Sequence, residues 1–237
     1  MQASPTWPGR RYRSTMRRWL EVVPGLRLTG DGAAWLPDAG ALIVADVHVG
    51  YDLAARRRGG YLPAAERGGA VGARLVAMAR ELAVGRVVVA GDLRHSTNDV
   101  DDLERAELAA LAESFPSDVA FEVVLGNHDR GGALVGREAA SPLRIGDVDI
   151  VHVPPRTTPG RWTICGHLHP RITVRDETGA SARFPCVLLA EHLVVLPAFS
   201  GWAGGTAAGR LLASLPRDDW RALPISHGAI ADVGIVL

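Results

Sequence analysis

The feature that most constrains the fold is the alternation of short apolar segments with longer helical patterns between residues 41 and 126. Segments 41–48, 86–92 and 121–126 are apolar runs of strand length that end in polar residues or glycine, and they predict buried strands. Segments 64–83 and 99–114 carry apolar residues at helical spacing. This βαβαβ order predicts parallel neighbouring strands that are joined by right-handed crossovers.

The pattern changes after residue 140. Short strand-like segments, separated by Pro, Gly and Asp, occur at 148–153, 162–168, 171–175, 183–189 and 193–198. They predict hairpins in a mixed or antiparallel sheet. We expect this second sheet to pack on the first, because the polar ends of the late strands complement those of the early ones. The predicted fold over residues 21–237 is therefore a single α/β domain, a sandwich of two mixed sheets flanked by helices. The chain after residue 201 is rich in Gly, Ala and Pro, and predicts a loop with a short terminal segment.

Charge separates the first residues from the rest of the chain. Residues 1–20 hold five Arg and no acidic residue. We expect either a disordered extension or a non-native one, which would arise if the natural start codon is that of Met16. A transit peptide is the alternative. The remaining residues hold 21 Arg against 26 acidic residues, a formal charge of −5, which argues against a broad basic surface for DNA. No apolar run has the roughly 20 residues of a membrane span, and no secretory signal opens the chain, so a cytoplasmic protein is expected.

Five polar clusters lie at or just after the end of an apolar segment. They are Asp46-Val47-His48, Gly91-Asp92-Leu93-Arg94-His95, Gly126-Asn127-His128-Asp129, His152 and Gly166-His167-Leu168-His169. Because open α/β sheets bind ligands beyond the carboxyl ends of their strands, we expect the clusters to share one crevice. In an extended chain residues i and i+2 point to the same side, so the two members of Asp46/His48 and of His167/His169 should point together. The adjacent side chains of Asn127 and His128 should diverge.

The chemistry of these residues indicates a metal centre. Two carboxylates, one Asn and several imidazoles, with no thiolate among them, suit Mn, Fe, Zn or Ni. Cys165 and Cys186 form no CxxC pattern, which excludes a disulfide framework and a thiolate zinc finger. Seven such ligands are too many for one ion, and they predict two ions about 3.5–4 Å apart.

The ordered series D-x-H, G-D-x-x-H, G-N-H-D, a single H and G-H-x-H resembles the calcineurin-like metallophosphoesterase superfamily. More narrowly, the segments ADVHVGY, GDLRH and LPAFSGW are similar to those of small bacterial phosphoesterases often encoded beside a DNA ligase. Those proteins are related to the nuclease subunits of double-strand-break repair. The narrower resemblance covers roughly residues 20–205.

The resemblance implies a dinuclear metal site with manganese as the leading candidate. It assigns Asp46, His48 and His169 to the first ion, Asp92 as a bridge, and Asn127, His152 and His167 to the second ion. One departure concerns His152, because many members place Gly beside the lone histidine and this chain has Val151-His152-Val153.

The resemblance also implies roles for the residues beside the ligands. His128 would contact the scissile phosphate and protonate the leaving group, Asp129 would hydrogen-bond His128, and His95 would orient a ligand or the substrate. Arg56 and Arg57, in a run of three arginines, and Arg94 are predicted substrate contacts.

The function implied is a phosphodiesterase or nuclease of nucleic-acid metabolism or DNA repair. Its substrate would be a phosphoester such as DNA or RNA, in functional association with a DNA ligase or helicase system. Hydrolysis of small nucleotide or cyclic-nucleotide esters is the alternative that the charge of −5 favours. A non-catalytic scaffold is a third alternative, which the presence of His128 and all seven ligand candidates disfavours.

Overall fold

A computed structural model of the chain describes residues 18–60, 67–97, 100–232 and 235–237. Residues 1–17 of the predicted extension lie outside the described residues, and the first strand begins at Trp19. No helix within the described ranges is long and apolar enough to cross a bilayer.

Seven of the described strands form the first sheet in chain order. They are β1 (Trp19–Val23), β2 (Leu26–Thr29), β3 (Ala34–Leu36), β4 (Ala41–Val44), β5 (Arg86–Ala90), β6 (Ala120–Val124) and β7 (Arg137–Ala139). Strands β1 to β4 are an antiparallel meander that was not anticipated, whereas β4, β5, β6 and β7 are parallel neighbours. The predicted βαβαβ unit is confirmed, although residues 64–66 of the first predicted helix and residue 99 of the second lie outside the described residues.

Four helices are described: α1 (Tyr51–Arg57), α2 (Gly68–Glu81), α3 (Asp102–Glu113) and α4 (Ala208–Leu211). Helices α2 and α3 pack on the outer face of the first sheet. Alternate residues of β4 serve different layers, since Leu42 and Val44 contact these helices whereas Ala41 and Ile43 face the second sheet. Burial on both faces explains why β4 and β5 are continuously apolar rather than alternating.

The second sheet is mixed, as predicted. Its strands are β8 (Leu143–Ile145), β9 (Val148–Ile150), β10 (Trp162–Cys165), β11 (Pro170–Arg175), β12 (Ser181–Ala190), β13 (Leu193–Val195), β14 (Thr206–Ala207), β15 (Arg221–Ser226), β16 (Ala229–Ile230) and β17 (Ile235–Val236). Strand β10 lies parallel to β9 and β13, while β12 is antiparallel to β11, β13 and β15. Residues of both sheets share one buried core, so the sheets form the expected sandwich.

The segment after residue 201 differs from its prediction. Instead of a loop with a short end, it contains α4 on the outer face of the second sheet and β15 hydrogen-bonded along β12. Trp220, just before β15, is almost fully buried. The strand was not recognised because Pro224 interrupts it, and proline within a segment argues against a strand inside a sheet.

Candidate metal centre

Four parallel strands bring polar side chains to one edge of the sandwich. Strands β4, β5, β9 and β10 end at buried apolar positions, and a potential metal ligand follows two residues after each end: Asp46, Asp92, His152 and His167. The carboxyl ends of parallel strands meet at the same edge, so ligands that are up to 121 residues apart in sequence become neighbours.

The backbone at this edge is strained. Of the eight described non-glycine residues with positive φ, five are predicted ligands: Asp46 (54°), His48 (52°), Asp92 (52°), His167 (71°) and His169 (45°). Each left-handed residue of this kind costs roughly 1–3 kcal/mol and persists where its surroundings hold it. The extended geometry assumed for Asp46/His48 and His167/His169 is therefore wrong. Asp46 and His48 converge through a left-handed turn, whereas His167 and His169 belong to different groups of potential ligands.

Backbone hydrogen bonds hold these turns together beyond the strand ends. The amide of His48 donates to the carbonyl of Asp92 at 3.0 Å, and the amide of Val49 donates to the carbonyl of Leu93 at 2.8 Å. Phe199 donates to the carbonyl of Ala45 at 2.8 Å from the other side. The ligand positions are thus fixed by main-chain pairing.

The first group of potential ligands consists of Asp46, His48 and His169, whose donor atoms lie within 4.8 Å of one another. The two Nε2 atoms of His48 and His169 are 3.2 Å apart, and Asp46 Oδ1 is 3.5 Å from His169 Nε2. His169 Nδ1 lies 2.9 Å from the carbonyl of Gly204, to which it can donate, so Nε2 faces Asp46 and His48. Burial lowers the pKa of His169, but Asp46 and the Gly204 carbonyl outweigh it and raise that pKa above its usual value, so a cation at Nε2 would compete with a proton.

The second group consists of Asp92, His152 and His167, joined by Asn127. His152 Nδ1 donates to the carbonyl of Ala90 at 3.1 Å, which leaves a lone pair on Nε2 of the neutral ring. That Nε2 lies 2.9 Å from Asn127 Oδ1, 3.1 Å from His167 Nδ1 and 3.5 Å from Asp92 Oδ1. His152 is thus buried with its lone pair directed at the other members of the group, although its sequence context departs from that of many superfamily members.

Both groups fit divalent cations, because each brings imidazole nitrogens and a carboxylate oxygen, which are ligands of such ions, within 4.8 Å of one another. Burial and the neighbouring His169, His95 and His128 hold the pKa of His48 down to about 2, so its ring stays neutral. Asp46 Oδ1 is buried and accepts no hydrogen bond from any described residue. Two ligands at about 2.1 Å from one metal ion are about 3.0–3.4 Å apart for angles between about 90° and 109°, and the imidazole pairs have this spacing.

His128 and His95 lie beside the two groups. The amide of His128 donates to Asp92 Oδ1 at 2.8 Å, while its ring Nδ1 contacts the carbonyl of His95 and its Nε2 is 3.9 Å from Asp92 Oδ2. The His95 ring lies between His128 and Tyr51, with centroids 5.7 and 4.4 Å away. Burial, with His128 and Arg58, lowers the pKa of His95 to about 4. Asn127 and His128 diverge in the predicted manner, because Asn127 contacts His152.

The ring nitrogens of His48, His95 and His128 also lie close enough together to hold an ion. Sequence reasoning did not anticipate this third combination. His48 belongs to it and to the first group, so its ring links the potential metal ligands to the two outer histidines.

Asp129 does not make the predicted hydrogen bond to His128. Its buried carboxylate accepts hydrogen bonds from the backbone amides of Gly126, Arg94 and Leu93, at 2.9, 3.2 and 3.3 Å. The carboxylate therefore ties the turn after β6 to the turn after β5. Three amide donors occupy it, and among the described residues the His128 ring contacts the His95 carbonyl instead.

A substrate contact by Arg94 is not supported, whereas the contacts by Arg56 and Arg57 stay predictions. Arg94 is buried and donates to both carboxylate oxygens of Glu104, at 3.0 and 3.3 Å, so it is a structural ion pair. Arg56 lies 3.6 Å from Asp52, and Arg57 pairs with Asp101. Arg58, the third arginine of this run, acts electrostatically on His95.

Two glycines allow the edges of the sheets to approach. Gly91 has a φ of +85°, and a Cβ there would collide with the ring of His152. A Cβ on Gly166 would lie 2.5 Å from both Ala45 Cβ and Asp46 Oδ2. Gly166 thus allows a close approach between the sheets, whereas Gly91 allows both a close approach and a turn.

Sequence reasoning missed the contacts that orient the histidine rings of the candidate metal centre. Tyr51 at the start of α1 contacts the His95 ring at an interplanar angle of 46°, and the Gly204 carbonyl orients His169. The segment LPAFSGW was noticed only for its resemblance, yet Phe199 within it pairs with the backbone beside Asp46. Tyr51 is the last residue of ADVHVGY, which was likewise noticed only for its resemblance, and its contact with His95 depends on how α1 leaves the first turn.

The fold and the site together define an αββα sandwich with a candidate metal centre at the carboxyl ends of its parallel strands. The structure is similar to the crystal structure of nuclease MPE from Pseudomonas putida, with a TM-score of 0.65 and 24% sequence identity over 86% of this chain and 93% of that chain. At this identity the similarity shows the shared fold and confirms the predicted sandwich. No family profile and no curated protein matches the sequence.

Proposed function

We propose that this protein is a metal-dependent phosphodiester hydrolase that acts on nucleic acid. The observation that carries the proposal is the pair of adjacent groups in which imidazole nitrogens and carboxylate oxygens from separate turns lie 3.1–3.5 Å apart. A protein that is similar in fold over most of both chains is a nuclease. The contacts at the two groups, the fold and the sequence resemblance therefore favour the same chemistry.

The proposed cofactor is a pair of divalent cations, with Mn as the leading candidate and Fe, Zn or Ni as alternatives. Asp46, His48 and His169 would hold one ion, Asn127, His152 and His167 the other, and Asp92 would lie between them. Bound cations would supply Lewis acidity and neutralise the negative charge of the phosphate oxygens.

The chain itself would handle the proton of the leaving group. The His95 carbonyl beside Nδ1 of His128 fixes the tautomer of that ring, so Nε2 is the atom that gains and releases a proton. His128 is 26% exposed at its side chain, whereas Asp92 beside it is buried, so the histidine is the member that a substrate can reach. We assign the protonation of the departing oxygen to His128 and the positioning of its ring to His95.

Hydrolysis of small nucleotide esters is the second candidate, because the formal charge of −5 over residues 21–237 gives little general attraction for DNA. A role in DNA repair beside a DNA ligase or helicase, in the cytoplasm, belongs to the first proposal and rests on the sequence resemblance alone.

Release of nitrophenol tests the proposal. Full-length protein with Mn²⁺ should hydrolyse bis(p-nitrophenyl) phosphate and cleave oligonucleotides, and excess EDTA should abolish both activities. His128→Asn should lower the rate by at least a hundredfold. His192→Asn is the matched control, because His192 lies at the edge of Trp162, among residues that do not take part in the centre.

Metal-loaded protein that cleaves no phosphodiester would overturn the proposal, and tight binding of a protein partner in its place would favour the scaffold. Cleavage of mononucleotide esters without any cleavage of oligonucleotides would favour the second candidate.

A further inference from the structure

A cavity of about 240 Å³ adjoins the candidate metal centre on the side of His169. Its wall continues from His169 into β11 and the glycine-rich segment that follows Phe199, and it includes Arg74, Arg171 and His227. We call it the Arg171 cavity. Because His169 belongs to both the cavity and the first ligand group, a molecule bound at the centre can extend directly into this space.

Arg171 is a cation held in place without an anion. Its Nε is buried with no hydrogen-bond partner, and no described carboxylate forms an ion pair with its guanidinium. A buried donor without an acceptor is unfavourable, so a ligand oxygen that accepts from this atom would gain affinity from it. Its side-chain stem packs closely on Gly205, where an added Cβ would lie 2.6 Å from Arg171 Cγ. The guanidinium is therefore positioned before any ligand arrives.

The rest of the wall suits an anion that carries an apolar body. Arg74 donates to the carbonyl of Phe199 at 2.7 Å and lies 3.6 Å above its ring, which adds positive charge and fixes that aromatic face. Pro170, Pro185 and Pro197 line the same space, and Asp31 is the one acidic residue among the described lining residues. A phosphate joined to a sugar and a base combines these two properties.

We propose that the Arg171 cavity binds the nucleotide next to the scissile phosphodiester, with Arg171 on its phosphate. The inference rests on the proposed function and deepens it, because a second phosphate subsite selects a polynucleotide strand over a small ester. It also explains how a chain of net negative charge holds a strand, since the positive charge is concentrated in one cavity rather than spread over the surface.

Binding of a fluorescein-labelled oligothymidylate, followed by anisotropy at several salt concentrations, tests the proposal. The full-length, Mn²⁺-loaded protein is used in the His128→Asn background so that the strand stays intact. Arg171→Ala should weaken binding about tenfold or more and should reduce the slope of log K against log [salt] by about 0.7, the value for one phosphate contact in a single strand. Arg171→Lys, which keeps the charge, should retain the slope.

The matched control is Arg175→Ala. Arg175 lies on the same strand, is exposed and donates to the Gly179 carbonyl, so its removal should leave affinity and slope unchanged. Unchanged binding by Arg171→Ala, or an equal loss in Arg175→Ala, would overturn the proposal. So would an equal loss of oligonucleotide cleavage and of bis(p-nitrophenyl) phosphate hydrolysis when Arg171→Ala is tested with His128 present. Failure of this proposal can be distinguished from failure of the proposed function, because anisotropy measures binding even when the protein hydrolyses no substrate.

Discussion

Two buried polar assemblies lie two residues apart after β5, and they neutralise charge in opposite ways. Asp92 Oδ1 lies 3.5 Å from His152 Nε2, in a group of potential ligands that contains no arginine. Arg94 instead donates two hydrogen bonds to the carboxylate of Glu104. The Asp92 group needs a cation from outside the chain, whereas the Arg94–Glu104 pair contains its own.

Within one turn of the chain, the Asp92 group therefore serves function and the Arg94–Glu104 pair serves stability. A paired buried charge destabilises the fold strongly when one partner is removed, because the other is left uncompensated in the interior. Ligands that repel one another in the metal-free protein contribute nothing comparable to its stability. Substitutions in the two assemblies should therefore affect different measurements.

The largest expected effect is on activity, from Asp92→Asn. Loss of the carboxylate charge should lower kcat/KM for bis(p-nitrophenyl) phosphate by about a thousandfold or more. The metal-free variant should unfold at about the same temperature, because the amide oxygen of Asn can still accept the hydrogen bond from the His128 amide. Asp147→Asn, at an exposed carboxylate, is the control. A clear drop in the unfolding temperature of the metal-free variant would contradict the contrast.

Glu104→Gln should act in the opposite way, by leaving Arg94 buried without its counter-charge. We expect a loss of about 3–5 kcal/mol in the free energy of unfolding, measured by urea denaturation. Glu113→Gln, at the exposed end of α3, should change it by less than about 0.5 kcal/mol. If Glu104→Gln is as stable as the wild type, the buried charge of Arg94 does not need Glu104 to compensate it.

Mn²⁺ itself should stabilise only the first assembly. When the free Mn²⁺ concentration is 100 times the Kd of one site, binding adds about 2.7 kcal/mol to the free energy of unfolding. This raises the unfolding temperature of a domain this size by about 5–10 °C. The shift should shrink in Asp92→Asn and persist in Glu104→Gln. Calorimetry with and without Mn²⁺ measures it, and an equal shift in both variants would show that the ion binds elsewhere.

The same contrast shows what could be predicted from the sequence. Ligands such as Asp46 and Asp92 were predictable because each follows its own apolar strand, which is a local signal. Arg94 was misassigned and Asp129 was given the wrong partner, because their contacts depend on how separate turns meet in three dimensions. Pairs of carboxylates and amides from different turns have no signature in a single sequence. Strand β15 was missed for a different reason, since Pro224 masked a strand that its neighbour β12 stabilises.

The smallest expected effect concerns the thiol nearest the centre. Cys165 is fully buried, its thiol donates to the carbonyl of Val194 at 3.4 Å, and burial together with Asp46 raises its pKa well above the usual value. Burial likewise raises the pKa of Cys186 to about 12. Both thiols stay protonated at neutral pH and neither is a ligand, since the thiolate is the form that binds metals. A thiol reagent such as dithionitrobenzoate should therefore detect no cysteine in the native protein and two after unfolding, with or without Mn²⁺. If a cysteine of the native protein reacts rapidly and Mn²⁺ suppresses that reaction, a sulfur atom is among the metal ligands. The centre would then not consist of nitrogen and oxygen ligands alone.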